Sequence, residues 1–295
     1  MSWHFALVID PAASDDRRTD FSDTFAPIDP TAPALSVGEL STQRGDGIFE
    51  SIGVVDGHPQ EVTAHLERLA HSAAICALPA PHLDQWRQAV ELAAAKSPAH
   101  GEGVIKLILS RGVEHGPAPT AWVTSAPAAD FTGPRRDGIR VVTLDRGYAL
   151  DLPARAPWLL LGAKTLSYAV NMAAIREAKS RGADDAIFVT SDGFVLEAPT
   201  ASLVLRVADR FITPAPNGGI LHGTTQLSLF EHLAEGGEST AYDTVSVDML
   251  RSADAAWLLS SVRLAAPISS IDGREIEVDA ALTASFNDYL LSPRD

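Results

Sequence analysis

Lysine is the scarcest of the chemically useful residues in this chain. Of its 23 basic residues only four are lysines, namely Lys96, Lys106, Lys164 and Lys179. Lys96 and Lys179 fall on the polar faces of helical stretches, where a solvated charge is the ordinary role. Lys106 lies inside an apolar strand pattern and is expected to point outward from a sheet face. Lys164 is different, because it directly follows Trp158-Leu159-Leu160-Leu161-Gly162-Ala163, read as a buried strand giving way to a helix. An amine held in a low-dielectric place must be paired, deprotonated or used covalently.

Two further features carry chemistry that such an amine could join. Phe194-Val195-Leu196-Glu197-Ala198-Pro199 puts a carboxylate at the end of an apolar strand. If buried, it needs a cationic or hydrogen-bonding partner; otherwise it is an edge residue facing water. Gly223-Thr224-Thr225-Gln226 opens a helix with two hydroxyl side chains, and unpaired N–H groups at a helix start favour a phosphate. An ordinary helix cap has the same appearance. His222 precedes that turn, while His65 and His71 share a helix without metal-ligand spacing and read as surface or packing residues. Neither a GxSxG, GxxxxGK[ST] or HExxH motif nor a GxGxxG opening a strand-helix-strand unit is present. A single cysteine, Cys76, excludes an internal disulfide framework and any multi-cysteine metal site, and fits a reducing cytoplasm.

These residues must be positioned by short, alternating elements. Strands are expected at the N-terminal MSWHFALVID stretch and over 48–55 and 103–110, with helices over 62–78 and 83–96. A strand over 138–144 and a helix over 167–181 follow. Hairpins are expected about Ser191-Asp192-Gly193 and Ala208-Asp209, and after the Pro216-Asn217-Gly218-Gly219 turn comes a helix over about 223–233. The mixture predicts an α+β fold, mostly antiparallel sheet with flanking helices. At 295 residues and 46% apolar content the chain suits two domains. A smaller N-terminal domain is expected over 1–125, a Pro- and Arg-containing linker over 126–137 and a larger domain over 138–295.

Charge narrows the partners. A formal net charge of −15 offers no broad basic field for nucleic acid or an anionic membrane surface. The longest apolar stretches fall far short of the ~20 residues of a membrane-spanning helix, and the N-terminus has neither the basic flank nor the cleavage site of a signal peptide. A small-molecule substrate is the expected partner.

Five short motifs, in order across nearly the whole chain, carry a resemblance. Arg44-Gly45-Asp46-Gly47-Ile48-Phe49-Glu50-Ser51 looks like an RGDGxFET strand, and His65-Leu66-Glu67-Arg68-Leu69 like an HxxRL helix. Ala163-Lys164 matches a cofactor-attachment lysine, Gly193-Phe194-Val195-Leu196-Glu197 a GxxxE strand, and Leu221-His222-Gly223-Thr224-Thr225-Gln226 an LxGxTR helix start. Together they resemble the class IV aminotransferases, the fold-type IV enzymes of pyridoxal 5'-phosphate (PLP), whose two-domain fold is that of the D-amino-acid aminotransferases.

The resemblance implies roles. Lys164 would attach the cofactor and move protons at the substrate carbon. Glu197 would pair with the ring nitrogen, and Arg68, Thr224 and Thr225 would hold the phosphate, joined by Ser261. Tyr168 could contact the phenolic oxygen. Members of the family are homodimers with the site between domains and near the partner subunit.

Within the family, the Ser110-Arg111-Gly112 ending and the RGDG-FES opening are most similar to 4-amino-4-deoxychorismate lyase, especially the actinobacterial form. That branch converts its substrate to 4-aminobenzoate and pyruvate for folate synthesis, with Arg111 the candidate for a substrate carboxylate. A branched-chain, D-amino-acid or amine aminotransferase is the alternative. The altered Ser202 and Gln226 leave open a non-catalytic PLP-binding protein.

Overall fold

The structure, a computed structural model, describes residues 5–217 and 219–295. The chain divides into two compact units. Unit 1 takes the residues through Ala129 together with Ala163–Tyr168 and Ser292–Asp295, and unit 2 takes Asp130–Gly162 and Ala169–Leu291.

Unit 1 is built on strands β1 (Phe5–Ile9), β2 (Phe25–Ile28), β3 (Gly47–Val55), β4 (His58–Pro59), β5 (Glu102–Ser110) and β6 (Thr120–Pro127), with helices α1 (Leu40–Gln43), α2 (Val62–Ile75) and α3 (Leu83–Ala94). Its sheet runs β2-β1-β6-β5-β3-β4, every pair antiparallel. Period-two burial of Ile48 and Ile52 in β3 and of Ile105 and Leu107 in β5 makes one inward face. Leu66, Leu69 and Ala73 recur at helical spacing along α2 and cover it, each fully or almost fully buried. Lys106 is exposed, as the alternation predicts.

Unit 2 contains α4 (Thr132–Asp137), β7 (Ile139–Asp145), α5 (Leu152–Arg155), α6 (Ala169–Ser180), β8 (Asp185–Val189), β9 (Ser202–Val207), β10 (Arg210–Pro214) and α7 (Thr224–Glu235). It continues with β11 (Ser239–Asp243), α8 (Val247–Ser252), β12 (Ala255–Ser260), β13 (Leu264–Ile271), β14 (Arg274–Glu275) and α9 (Ala280–Leu291). The strand order is β11-β10-β9-β12-β13-β7-β8, with β14 on β13. Leu203, Leu205 and Leu258 point to one core, while Val204, Trp257 and Leu259 point to another with Phe230 and Phe286. The central strands are therefore covered on both faces, which is why they read as unbroken apolar runs.

Three expectations are corrected. The run before Lys164 is no buried strand: Pro157–Leu159 is a 3-10 turn, Leu160 has φ +54°, and Trp158 is 74% exposed. Pro157 and the left-handed residues break any extended register. Phe194–Glu197 forms no regular strand: it meets β8 across the expected turn through isolated bridging, with Leu196 N donating to Phe188 O and Phe188 N to Glu197 O, both at 2.9 Å, and Phe194 also bridges Ser246. The boundaries also differ, because Ala163–Tyr168 belongs with unit 1 rather than with the residues on either side. The cause is strand-like pairing, with Phe49 N donating to Lys164 O at 3.0 Å and Leu166 N to Gly47 O at 2.8 Å. Among the described residues no helix is long and apolar enough to cross a membrane.

Candidate active site

In unit 1, β3 and α2 organise the surroundings of Lys164. Its backbone is fixed from both sides, because the carbonyl accepts from Phe49 and the N–H donates to the buried Ser72 Oγ at 3.1 Å. Its Nζ lies 4.6 Å from the centre of the Phe49 ring, a cation–π distance when the amine is protonated. Tyr168 meets the same ring edge-on, with centroids 5.3 Å apart.

His65, Arg68 and Ser72 recur at i, i+3 and i+7 and so share one face of α2. That face meets Glu50, the β3 residue after Phe49. Arg68 donates to Glu50 through Nε and Nη2, both at 2.7 Å, and His65 Nδ1 lies 2.7 Å from the same carboxylate. Glu50 and His65 are fully buried. Burial opposes ionisation of Glu50, but the Arg68 charge and the hydrogen bonds from Arg68 and His65 outweigh it and hold the carboxyl well below the usual range. This buried triad fixes the Arg68 guanidinium.

Arg111 has a different setting from the one expected. Its Nε donates to Asp46 at 2.7 Å, Nη1 to Ala77 O at 3.1 Å and Nη2 to Cys76 O at 2.8 Å. Each nitrogen has a protein acceptor, so Arg111 clamps the end of β5 to the C-terminus of α2, while its side chain stays 40% exposed. Behind it, the buried Glu39 accepts from Ser110 Oγ and from Thr120 Oγ1.

In unit 2 the expected cofactor residues cluster at the start of α7. Thr224 Oγ1 and Thr225 Oγ1 each lie 3.4 Å from Ser261 Oγ, which follows β12. The three hydroxyls converge on the N-terminus of a 12-residue helix. A Cβ at Gly223 would fall 2.2 Å from Ser202 Oγ, so a larger residue there requires that hydroxyl to move. Gln226 is buried and donates to the Tyr242 hydroxyl at 3.2 Å, with His222 edge-on to that ring. Glu197 Oε1 accepts from Leu221 N at 3.2 Å, which ties the carboxylate to the segment leading into α7. The large open cleft of this unit, lined by Arg206, Asp254, Asp272 and Asp279, lies at the other end of β9 and β12 and holds none of these residues.

An amine, a carboxylate and a hydroxyl-lined helix start are the donor set that PLP needs for its aldehyde, ring nitrogen and phosphate, so the residues fit that group. Among the described residues no cluster of His, Cys, Asp or Glu is arranged to hold a metal ion. Sequence reasoning gives no role to Glu50 or His65. Their signal is a carboxylate within an apolar strand and an i, i+3 His/Arg pair, and only packing of α2 on β3 joins them.

The sequence profile of amino-transferase class IV matches residues 47–271. The chain belongs to the amino-transferase class IV family. It is 44% identical over 259 residues to a bifunctional aminodeoxychorismate lyase / D-amino acid transaminase of Mycobacterium tuberculosis, covering 84% of this chain and 90% of that protein. A fold IV transaminase from Curtobacterium pusillum is similar in structure, with a TM-score of 0.92 and 48% identity over 98% of this chain and 99% of the other. A hypothetical aminotransferase from Mycobacterium tuberculosis in PLP-bound form gives a TM-score of 0.88 and 40% identity, covering 97% and 98% of the two chains. The expectation of an α+β, PLP-dependent enzyme of the class IV aminotransferase family therefore holds.

Proposed function

We propose that this class IV enzyme is an aminodeoxychorismate lyase, converting 4-amino-4-deoxychorismate to 4-aminobenzoate and pyruvate, with a place in folate biosynthesis. The observation that carries the reading is the 44% identity to a relative named for this lyase activity, extending across 84% of the chain.

PLP supplies an electron sink for the charge that develops at the carbon bearing the amino group. The Lys164 amine takes the proton from that ring carbon, leaving the electron pair to expel the enolpyruvyl side chain, and aromatisation drives the elimination. Glu197 would pair with the ring nitrogen and favour its protonated form, which would strengthen the sink. Thr224, Thr225 and Ser261 bind the phosphate through hydroxyls at the positive end of α7, and Arg68 adds its charge to phosphate binding. Tyr168, beside Phe49, would contact the phenolic oxygen.

Purified protein given 4-amino-4-deoxychorismate and no keto acid should release pyruvate and 4-aminobenzoate. Absence of pyruvate ends the lyase reading. Transamination is the second reading, favoured by the bifunctional name of the same relative. Its test is conversion of PLP to pyridoxamine phosphate by D-amino, branched-chain or simple amine donors alone.

We also propose a homodimer in a reducing cytoplasm. Trp158, Leu159, Val170 and Met172 stand 44% exposed or more, which is apolar surface suited to a second copy. A sedimentation mass equal to one chain would exclude the dimer.

A further inference from the structure

The turn between β12 and β13, closed by the Ser260–Leu264 pair, carries Ser261. Leu264, which closes it, is buried with φ +62°, a conformation that a branched side chain keeps only when its surroundings enforce it. Two side chains do so. Asn287 of α9 accepts from Ala265 N at 3.0 Å and donates to Ala265 O at 2.9 Å. Arg135 of α4, itself 9% exposed, donates from Nη2 to Val262 O at 2.9 Å and from Nε to Arg263 O at 2.8 Å. Two consecutive carbonyls are thus satisfied by one planar fork.

Arg135 therefore holds the residues immediately after Ser261. We propose that Arg135 is a positioning residue for phosphate. By fixing the Val262 and Arg263 carbonyls it keeps Ser261 Oγ within 3.4 Å of the Thr224 and Thr225 hydroxyls and so makes the cradle ready before the anion arrives. The proposal rests on the reading that this cradle takes the phosphate of PLP. Without Arg135, two carbonyls lose their donors and Leu264 relaxes toward negative φ, which moves Ser261.

The test compares dissociation constants of PLP and of pyridoxal, which lacks the phosphate, for the full-length apo protein and its variants. Wild type should prefer PLP. Ser261→Ala and Arg135→Met should each weaken PLP by about tenfold, the scale of one hydrogen bond to a charged group, with pyridoxal affinity unchanged. The double variant should lose little more than either single one, and Arg135→Lys should recover part of the loss. Unchanged PLP affinity in a folded Arg135→Met protein, equal losses for PLP and pyridoxal, or full additivity in the double variant overturns the proposal. Should Arg135→Met not fold, amide exchange of wild type decides: slow exchange over 261–265 in the apo protein supports a preset turn, and fast exchange there overturns it. A wild type that fails to distinguish PLP from pyridoxal sinks the cofactor reading itself, and this proposal with it.

Discussion

Lys164 and Phe49 are joined twice: the lysine carbonyl accepts from the phenylalanine N–H at 3.0 Å, and the lysine Nζ lies 4.6 Å from the centre of the phenylalanine ring. The bonds that hold the backbone of the reactive residue, to Phe49 N and to Ser72 Oγ, use its own main-chain groups and would survive any change of its side chain. Its amine rests over the ring of the same residue that fixes its carbonyl.

It follows that Lys164→Ala should fold normally, since both its backbone bonds survive. It should lose the visible absorbance of covalently held PLP, and turnover should drop by roughly 10² to 10⁴, the usual contribution of a positioned proton carrier. Absorbance spectra and pyruvate release check this. An unchanged spectrum would place the attachment elsewhere.

Glu50→Gln leaves the Arg68 charge buried without its counter-charge. Stability at pH 7 should fall by about 3–5 kcal/mol. The folded-state pKa of Glu50 is depressed, so its ionisation stabilises the protein above the unfolded glutamate pKa of ~4.3 and ceases to do so as pH falls. The gap between wild type and variant in urea unfolding should accordingly narrow below that pH. A gap constant down to strongly acid conditions contradicts the ion pair.

Gly223→Ala drives a methyl group to 2.2 Å from Ser202 Oγ. The overpacking should cost about 1–3 kcal/mol and weaken PLP binding through displacement of Thr224 and Thr225. Adding Ser202→Ala removes the clashing oxygen, leaving the Ser202 Cβ at 3.2 Å as the nearest contact, and should restore part of both. Calorimetry and PLP titration of the single and double variants decide it; no rescue would mean the defect is not this contact.

The N-cap of helix α2, Glu61, has left-handed geometry and makes no side-chain cap bond. Asp295 takes that role from the far end of the sequence, accepting from Thr63 N at 2.7 Å and pairing with Arg87. Asp295→Ala should lower stability by about 1 kcal/mol, the value of a helix cap, measurable by chemical denaturation. Equal stability of the two proteins would show that water caps the helix as well.

Much of the fold is legible in local patterning. The periodicities of β3, β5, α2 and α3 come from alternating or helical burial within one element, and the glycine and threonines opening α7 mark a helix start by residue type. Lys164 is legible for a reason that fails: the apolar run before it is an exposed turn, and the residue is placed instead by Gly47–Phe49, far away in sequence. Arg111 shows the same limit. Its guanidinium chemistry can be read from the sequence, but its acceptors, Asp46 and the carbonyls ending α2, come together only after the strand and helix have packed.

The strand-like pairing of Thr165 with Ile48 also bears on how the polypeptide is made. During synthesis, the Gly47–Phe49 stretch of β3 emerges more than a hundred residues ahead of the segment that covers it. A nascent or truncated fragment ending near Ala129 presents that edge bare, a template for pairing with a neighbouring molecule. Neither compact unit can be excised as one continuous piece of gene, and producing unit 1 on its own requires a linker that delivers residues 163–168 to the bare strand.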